Sequence, residues 1–283
     1  SEWFWGFSIG NTIFRSRTMI LERFSHSGIQ SFKKCPAQFK FRYIDQIYKK
    51  DEGIEAFLGK RVHESIEYLY ELVKSGVIPV VDEILKVHKS LWKEKWHKRI
   101  AIVYQNKTAR DYFYLGEECI ARFYRLNHPF GEPVIANEHE MIFLLGDDKN
   151  YKIKGIVDRI DHDGKGNWEI HDYKTGKRAL SQKAADKDHQ LALYQIGLMA
   201  EVENIKSVTL VWHFIQHGIK VESKRTNEDI RKVINETKNS IDEIRGKLNN
   251  GGEFPPKKSI LCNWCYYWEE CPTQYGSNPY IQS

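Results

Sequence analysis

The stretch from Tyr151 to Lys177, YKIKGIVDRIDHDGKGNWEIHDYKTGK, restricts the fold of this chain more than any other. Residues 151–162 alternate roughly between apolar and polar and carry β-branched Ile153, Ile156, Val157 and Ile160. Residues 167–173 do the same. Between them, Asp163-Gly164-Lys165-Gly166-Asn167 is turn chemistry, so the pair reads as a β-hairpin. Centring the turn on Lys165 sets Ile160 opposite Ile170 and Asp158 opposite Asp172. Two carboxylates then face each other about 5 Å apart on one face of the sheet. Side chains repeat every second residue along a strand, so Lys174 joins that face one step beyond Asp172. Opposed carboxylates repel, and a hard divalent cation between them is the usual remedy. The plainer reading is a solvated hairpin whose charges simply face water.

The 283 residues suffice for one or two domains, and 41% hydrophobic content for a substantial core. Eight Trp, 15 Tyr and 14 Phe exclude a largely disordered chain. No apolar run approaches the roughly 18 residues that cross a bilayer, so a soluble, cytoplasmic protein without membrane contact is expected. The net charge of +5 permits a polyanionic partner such as nucleic acid. The first 18 residues, SEWFWGFSIGNTIFRSRT, lack the charged and apolar regions of a secretory signal. Met19 can serve as an alternative initiator, and residues 1–26 are expected to be an N-terminal extension, a leader or a cloning remnant.

From residue 27 the spacing predicts helices. Ser27 is expected to cap a segment over 27–45 that Pro36 breaks into two short helices or a kink, with Lys33, Lys34, Lys40 and Arg42 making it basic. Residues 54–74 carry one apolar stripe from Ile54 to Val73. His63 lies at the edge of that stripe and leans over Gly59, which leaves space for a ligand. A lone helical histidine is nevertheless more often a satisfied boundary residue. Helices over 80–98 and 107–127 follow, with Trp92 and Trp96 as core and Cys119 as a small buried hydrophobe.

A strand over 135–145 and a turn at Gly146-Asp147-Asp148 lead into the hairpin. Beyond it lies a loop with Lys177, Arg178, Lys183 and Lys187, either solvated or tracking phosphates. Asp186 or Asp188 can cap a helix to Glu201 on which Gln190, Tyr194 and Gly197 share one row. Strands over 207–215 and 219–225 and a helix over 228–248 complete an α/β or α+β domain, a central mixed sheet flanked by helices with the N-terminal helices as one wall.

Cys262, Cys265 and Cys271 form a C-x2-C-x5-C cluster, and Cys35 is the fourth member far away in sequence. Without a secretion signal, metal ligation is favoured over disulfides. Four thiolates satisfy either structural zinc or a cubane iron-sulfur cluster, and the prolines after Cys35 and Cys271 favour the cluster. Either group would clasp the C-terminal tail to the N-terminal helices.

Taken in order, Gly155-x-x-Asp158-Arg159-x-Asp161, Asp172-Tyr173-Lys174-Thr175-Gly176 and Gln190-x3-Tyr194 resemble the PD-(D/E)XK nuclease superfamily, specifically its RecB-like exonuclease branch. With the cysteine pattern, the chain is similar to iron-sulfur members of that branch, including CRISPR-associated exonucleases and AddB-type nuclease domains. The helical insertion at about 80–130 is longer than in the minimal CRISPR-associated proteins. The resemblance implies a restriction-endonuclease-like core, a single nuclease domain over 27–283 with a clasp formed by Cys35 and residues 262–271. It implies Mg²⁺ or Mn²⁺ held by His63, Asp158, Asp172 and the Tyr173 carbonyl, with Asp158, Asp172 and Lys174 catalytic. It also implies a 4Fe-4S cluster on Cys35, Cys262, Cys265 and Cys271, with zinc as the alternative. Gln190 and Tyr194 would meet DNA, expected to be single-stranded ends in repair, recombination or CRISPR adaptation, with protein partners in such complexes. The contrasting class is a DNA-binding or assembly subunit whose iron-sulfur cluster is structural.

Overall fold

A computed structural model describes residues 23–281, so Met19 and most of the expected extension lie outside the described residues. Strand β1 (Arg23–Phe24) already belongs to the fold, since it pairs in parallel with the hairpin and buries Phe24. Ser25, not Ser27, caps the first helix α1 (His26–Lys34), accepting from the Gly28 amide at 3.1 Å. Pro36 stops that helix as expected, because it cannot donate to the preceding turn. The chain re-forms as α2 (Pro36–Phe39) and a π-helical turn over Lys40–Ile44.

The helical wall consists of α3 (Ile54–Lys74), α4 (Val81–Lys95) and α5 (Ala109–Asn127). A small parallel pair, β2 (Glu52–Gly53) with β3 (Ile100–Ala101), ties its ends together. Ile54, Phe57, Leu58, Val62, Ile66 and Leu69 bury the α3 stripe predicted from spacing. Cys119 is fully buried, as expected of a small hydrophobe. Trp92 packs edge-on against Phe57, but α4 ends before Trp96, which is 40% exposed instead of core.

The sheet begins with β4 (Val134–Leu145), β5 (Asp148–His162) and β6 (Asn167–Lys174). A short helix α6 (Gln182–Ala185) and α7 (Gln190–Glu201) lead to β7 (Ser207–Phe214), β8 (Ile219–Ser223) and the closing helix α8 (Asn227–Asn249). Of the two acids expected to cap the helix to Glu201, Asp188 accepts from the Leu191 amide at 3.2 Å, whereas Asp186 binds Gln182 and Ser223. The order β1-β5-β6-β7-β8, with β4 on the other edge of β5, makes a mixed sheet: β6 runs parallel to β7, and the hairpins are antiparallel.

One core fills the face covered by α1, α7 and α8; a second fills the opposite face under α3, α4 and α5. This is the mixed α/β architecture expected from the order of elements. The described residues contain no helix long and apolar enough to cross a membrane.

Candidate active site

The hairpin turn is built by Asp163, whose Oδ1 accepts from the amides of Lys165 and Asn167 at 2.7 and 3.0 Å. Gly164 and Gly166 take positive φ there, which glycine alone adopts without strain. This turn sets Ile160 opposite Ile170 and Arg159 opposite His171, the expected register. The ladder then stops. At the next step the Asp158 carboxylate takes the place of a backbone acceptor, its Oδ2 receiving the Tyr173 amide at 2.6 Å.

The strand phase changes at the same point. Ile153, Val157 and then Ile160 face the α7 core, so alternation slips by one beside Asp158. On β4 the inward positions run Ala136 and then Met141, Phe143 and Leu145, with Glu138 at a φ of 45° where the slip falls. Irregularities of this kind re-aim side chains and are common beside functional sites. Asp158 and Glu138 lie opposite each other here, between the ladder pairs Asn137–Arg159 and His139–Val157.

Helix α3 brings His63 over this point. Its Nε2 lies 2.7 Å from the Tyr173 carbonyl, which only accepts, so Nε2 carries a proton. The other nitrogen, Nδ1, faces Asp158 Oδ1 at 3.5 Å. Burial opposes a charge on this ring, but the Asp158 carboxylate outweighs it and the pKa is pushed up to about 9. A protonated ring thus stands where the carboxylates attract a cation.

Asp172 and Lys174 sit side by side at the end of β6. Lys174 Nζ lies 2.8 Å from Asp172 Oδ2, and Gln190 on α7 bridges the two. Its Nε2 donates to Asp172 Oδ1 at 3.1 Å, and its Oε1 accepts from Lys174 at 3.0 Å. Burial raises the Asp172 pKa despite the adjacent ammonium, while the same pairing keeps Lys174 protonated against its own burial. Gln190 also donates to the Tyr194 hydroxyl at 3.3 Å, and the Tyr194 ring lies across Gly155. A Cβ on Gly155 would fall 2.6 Å from that ring. The structure therefore brings together His63, Asp158, Asp172, Tyr173, Lys174, Gln190 and Tyr194 from four separate elements.

Glu138 is the residue that sequence reasoning missed. Ligand atoms of His63, Glu138 and Asp158 lie within 4.8 Å of one another. Glu138 is exposed at the rim of the site, and partial desolvation together with the Asp158 charge pushes its carboxyl up to about 7. The oxygen-rich donor set, with one imidazole, fits Mg²⁺ or Mn²⁺. The buried Asp172 Oδ2 is in ion contact with the Lys174 ammonium at 2.8 Å and has no hydrogen bond of good geometry, so a cation would complete its contacts. A second grouping, Asp161, Glu169 and His171, is already neutralised, since Arg159 Nε lies 3.0 Å from Asp161 and the Arg159 guanidinium contacts His171.

The four cysteines Cys35, Cys262, Cys265 and Cys271 line one small cavity where the α1–α2 break meets the C-terminal tail, and none is in a disulfide. The amides of Lys257 and Ser259 point at Cys35 and Cys262 sulfurs, each at 3.4 Å. Burial, with the facing Cys35, Cys271 and Cys262, pushes the Cys265 thiol up to about 11.

Buried carboxylates with a lysine one strand step from Asp172, on the inner strands β5 and β6 of a mixed sheet wrapped by helices, are an arrangement able to hold a divalent cation beside a fixed ammonium. The sequence profile of the PD-(D/E)XK nuclease superfamily matches residues 23–272, and the chain belongs to that superfamily, whose members use divalent metals and act on nucleic acid. Among solved structures, the "Putative exonuclease" from Eubacterium rectale aligns over 92% of this chain and 93% of its own at 17% identity, with a TM-score of 0.53. That likeness concerns the fold. The crystal structure of SSO0001 aligns over 93% and 95% at 13% identity with a TM-score of 0.38, too low to carry an argument. Among curated proteins, none matches this sequence.

Proposed function

We propose that this protein is a metal-dependent DNA nuclease, an exonuclease on single-stranded ends, serving DNA repair, recombination or CRISPR adaptation in the cytoplasm. The observation that carries the reading is the assembly of Asp158, Asp172 and Lys174, with Gln190 hydrogen-bonded to both members of the acid–lysine pair. Asp158, Asp172 and His63 hold the cation in this reading, and the Tyr173 carbonyl fixes the imidazole. When bound, the cation polarises the scissile phosphate and lowers the pKa of water. Lys174 supplies a fixed positive charge where the phosphate gains negative charge in the transition state. Gln190 holds that ammonium in place, and Tyr194 packs behind Gln190.

Substrate features support a nucleic-acid strand. A cleft of about 480 Å³ is lined by Arg23, Arg42 and Lys154 together with Tyr43 and exposed Tyr48. Basic side chains with stacking aromatics suit a single strand. The loops and short helix α6 that follow β6 expose Lys177, Arg178, Lys183 and Lys187.

The cysteine cavity holds a 4Fe-4S cluster in this reading. The groupings compact enough for a single ion, with ligand atoms within 4.8 Å, contain no cysteine among the described residues. A zinc ion with bonds of about 2.3 Å would draw its thiolates closer than that. Amides aimed at the sulfurs are the hydrogen bonds that tune iron-sulfur clusters. The chain from β1 onward then acts as one nuclease domain, with Cys35 and residues 262–271 as its clasp.

The test is digestion of DNA labelled at either end, in Mn²⁺ or Mg²⁺. Native protein degrades it, and the Asp172→Ala and Lys174→Ala variants do not. Absence of cleavage by native protein with either metal would leave the assembly-subunit reading.

A further inference from the structure

We infer that Glu138 is a ligand of the divalent cation in this site, sharing it with His63 and Asp158; the inference rests on the metal-dependent nuclease reading above. Three elements that are separate in sequence, α3, β4 and β5, deliver the three side chains to one point. Their ligand atoms lie within 4.8 Å of one another, and the set of one imidazole and two carboxylates suits Mn²⁺ or Mg²⁺.

Glu138 is an exposed acid at the rim of the site. Among the described residues no side chain hydrogen-bonds or ion-pairs with its carboxylate. The other charges that bear on it most are Asp158, Glu67 and Glu64, all negative, with only His63 in opposition. Like-charged groups gathered opposite one another destabilise a sheet unless a cation lies among them. The backbone makes the same point. Glu138 takes a φ of 45°, a region where asparagine or glycine is at ease and glutamate is not.

The role of the imidazole follows. His63 Nε2 is engaged by the Tyr173 carbonyl, so Nδ1 is the nitrogen that faces Asp158. Metal-bound histidines characteristically give their other N–H to a carbonyl or carboxylate, which fixes the ring. Glu138 then completes the His63 side of the site, while Asp172 and Lys174 occupy the other.

The experiment is Mn²⁺ titration by calorimetry and electron paramagnetic resonance on native protein, Glu138→Gln and Glu138→Asn, with thermal unfolding in EDTA alongside. Both variants should bind Mn²⁺ at least tenfold more weakly. Glu138→Asn should unfold in EDTA no lower than native protein, because asparagine fits the left-handed backbone. If either variant binds Mn²⁺ within twofold of native protein, Glu138 is not a ligand, and the nuclease reading survives. If native protein binds no Mn²⁺, the metal-site reading itself fails and the assignment of Glu138 fails with it.

Discussion

Gln190 Nε2 donates to Asp172 Oδ1 at 3.1 Å, and the same amide accepts from Lys174, so one side chain on α7 sets the position of two on β6. Gln190→Ala removes that bridge without opening a core cavity. We expect kcat to fall about 10- to 100-fold, the usual cost of losing a hydrogen bond that orients a catalytic group, with KM changed far less. Steady-state kinetics on a labelled single strand checks this, and an equal loss in KM would assign Gln190 to substrate binding instead.

Gly155 exists to admit Tyr194. Gly155→Ala would set a methyl 2.6 Å from Cε1 and 2.9 Å from Cδ1 of the ring, so the variant should lose about 1–3 kcal/mol. The clash is specific to this pair. In urea unfolding, Gly155→Ala combined with Tyr194→Ala should be less destabilised than the two single changes added together.

His88 gives the helical wall a pH dependence. It is fully buried between α4 and α5, stacked on Phe113 at 5.5 Å, and burial lowers its pKa to about 4. The unfolded chain takes up this proton at the ordinary value near 6.5. Stability from keeping His88 neutral is therefore complete above about pH 6.5 and is lost as pH falls toward 4, amounting to about 3 kcal/mol. Unfolding free energies of native protein and His88→Gln measured between pH 4 and 7 should converge toward the acid end.

The clasp can be tested apart from catalysis. Cys262→Ala, purified without oxygen, should lose the visible absorbance of an iron-sulfur cluster. It should also release the tail to limited proteolysis, because the cluster joins residues 262–271 to Cys35. Tyr267 adds a 3.0 Å hydrogen bond to the Ile47 carbonyl, so part of the tail contact should survive. Zinc, with no visible absorbance, in native protein would reverse the choice of metal.

Local chemistry made much of this molecule legible. Alternation and the Asp163–Asn167 turn specified β5 and β6 and their register, because a tight turn dictates which residues face each other. The α3 stripe located His63 on a helix, and the short spacing of Cys262, Cys265 and Cys271 announced a shared ligand. Each of these signals lies within a few residues of chain.

Tertiary structure decided what depends on distant partners. The β4–β5 hairpin pairs Leu145 with Asp148 and then Leu144 with Lys152, so three residues of β5 are passed over. Extending the pairing of the tight turn would have put Ile135 opposite Asp158; the shift puts Glu138 there. No periodicity in either strand records that shift, which falls between Leu144 and Leu145 beside the Gly146-Asp147 turn. The bridge from Gln190 to Asp172 and Lys174 is likewise set by how α7 lies on the sheet. Sequence by itself determined the elements and the chemistry they carry, whereas packing decided which of those groups share one charged site.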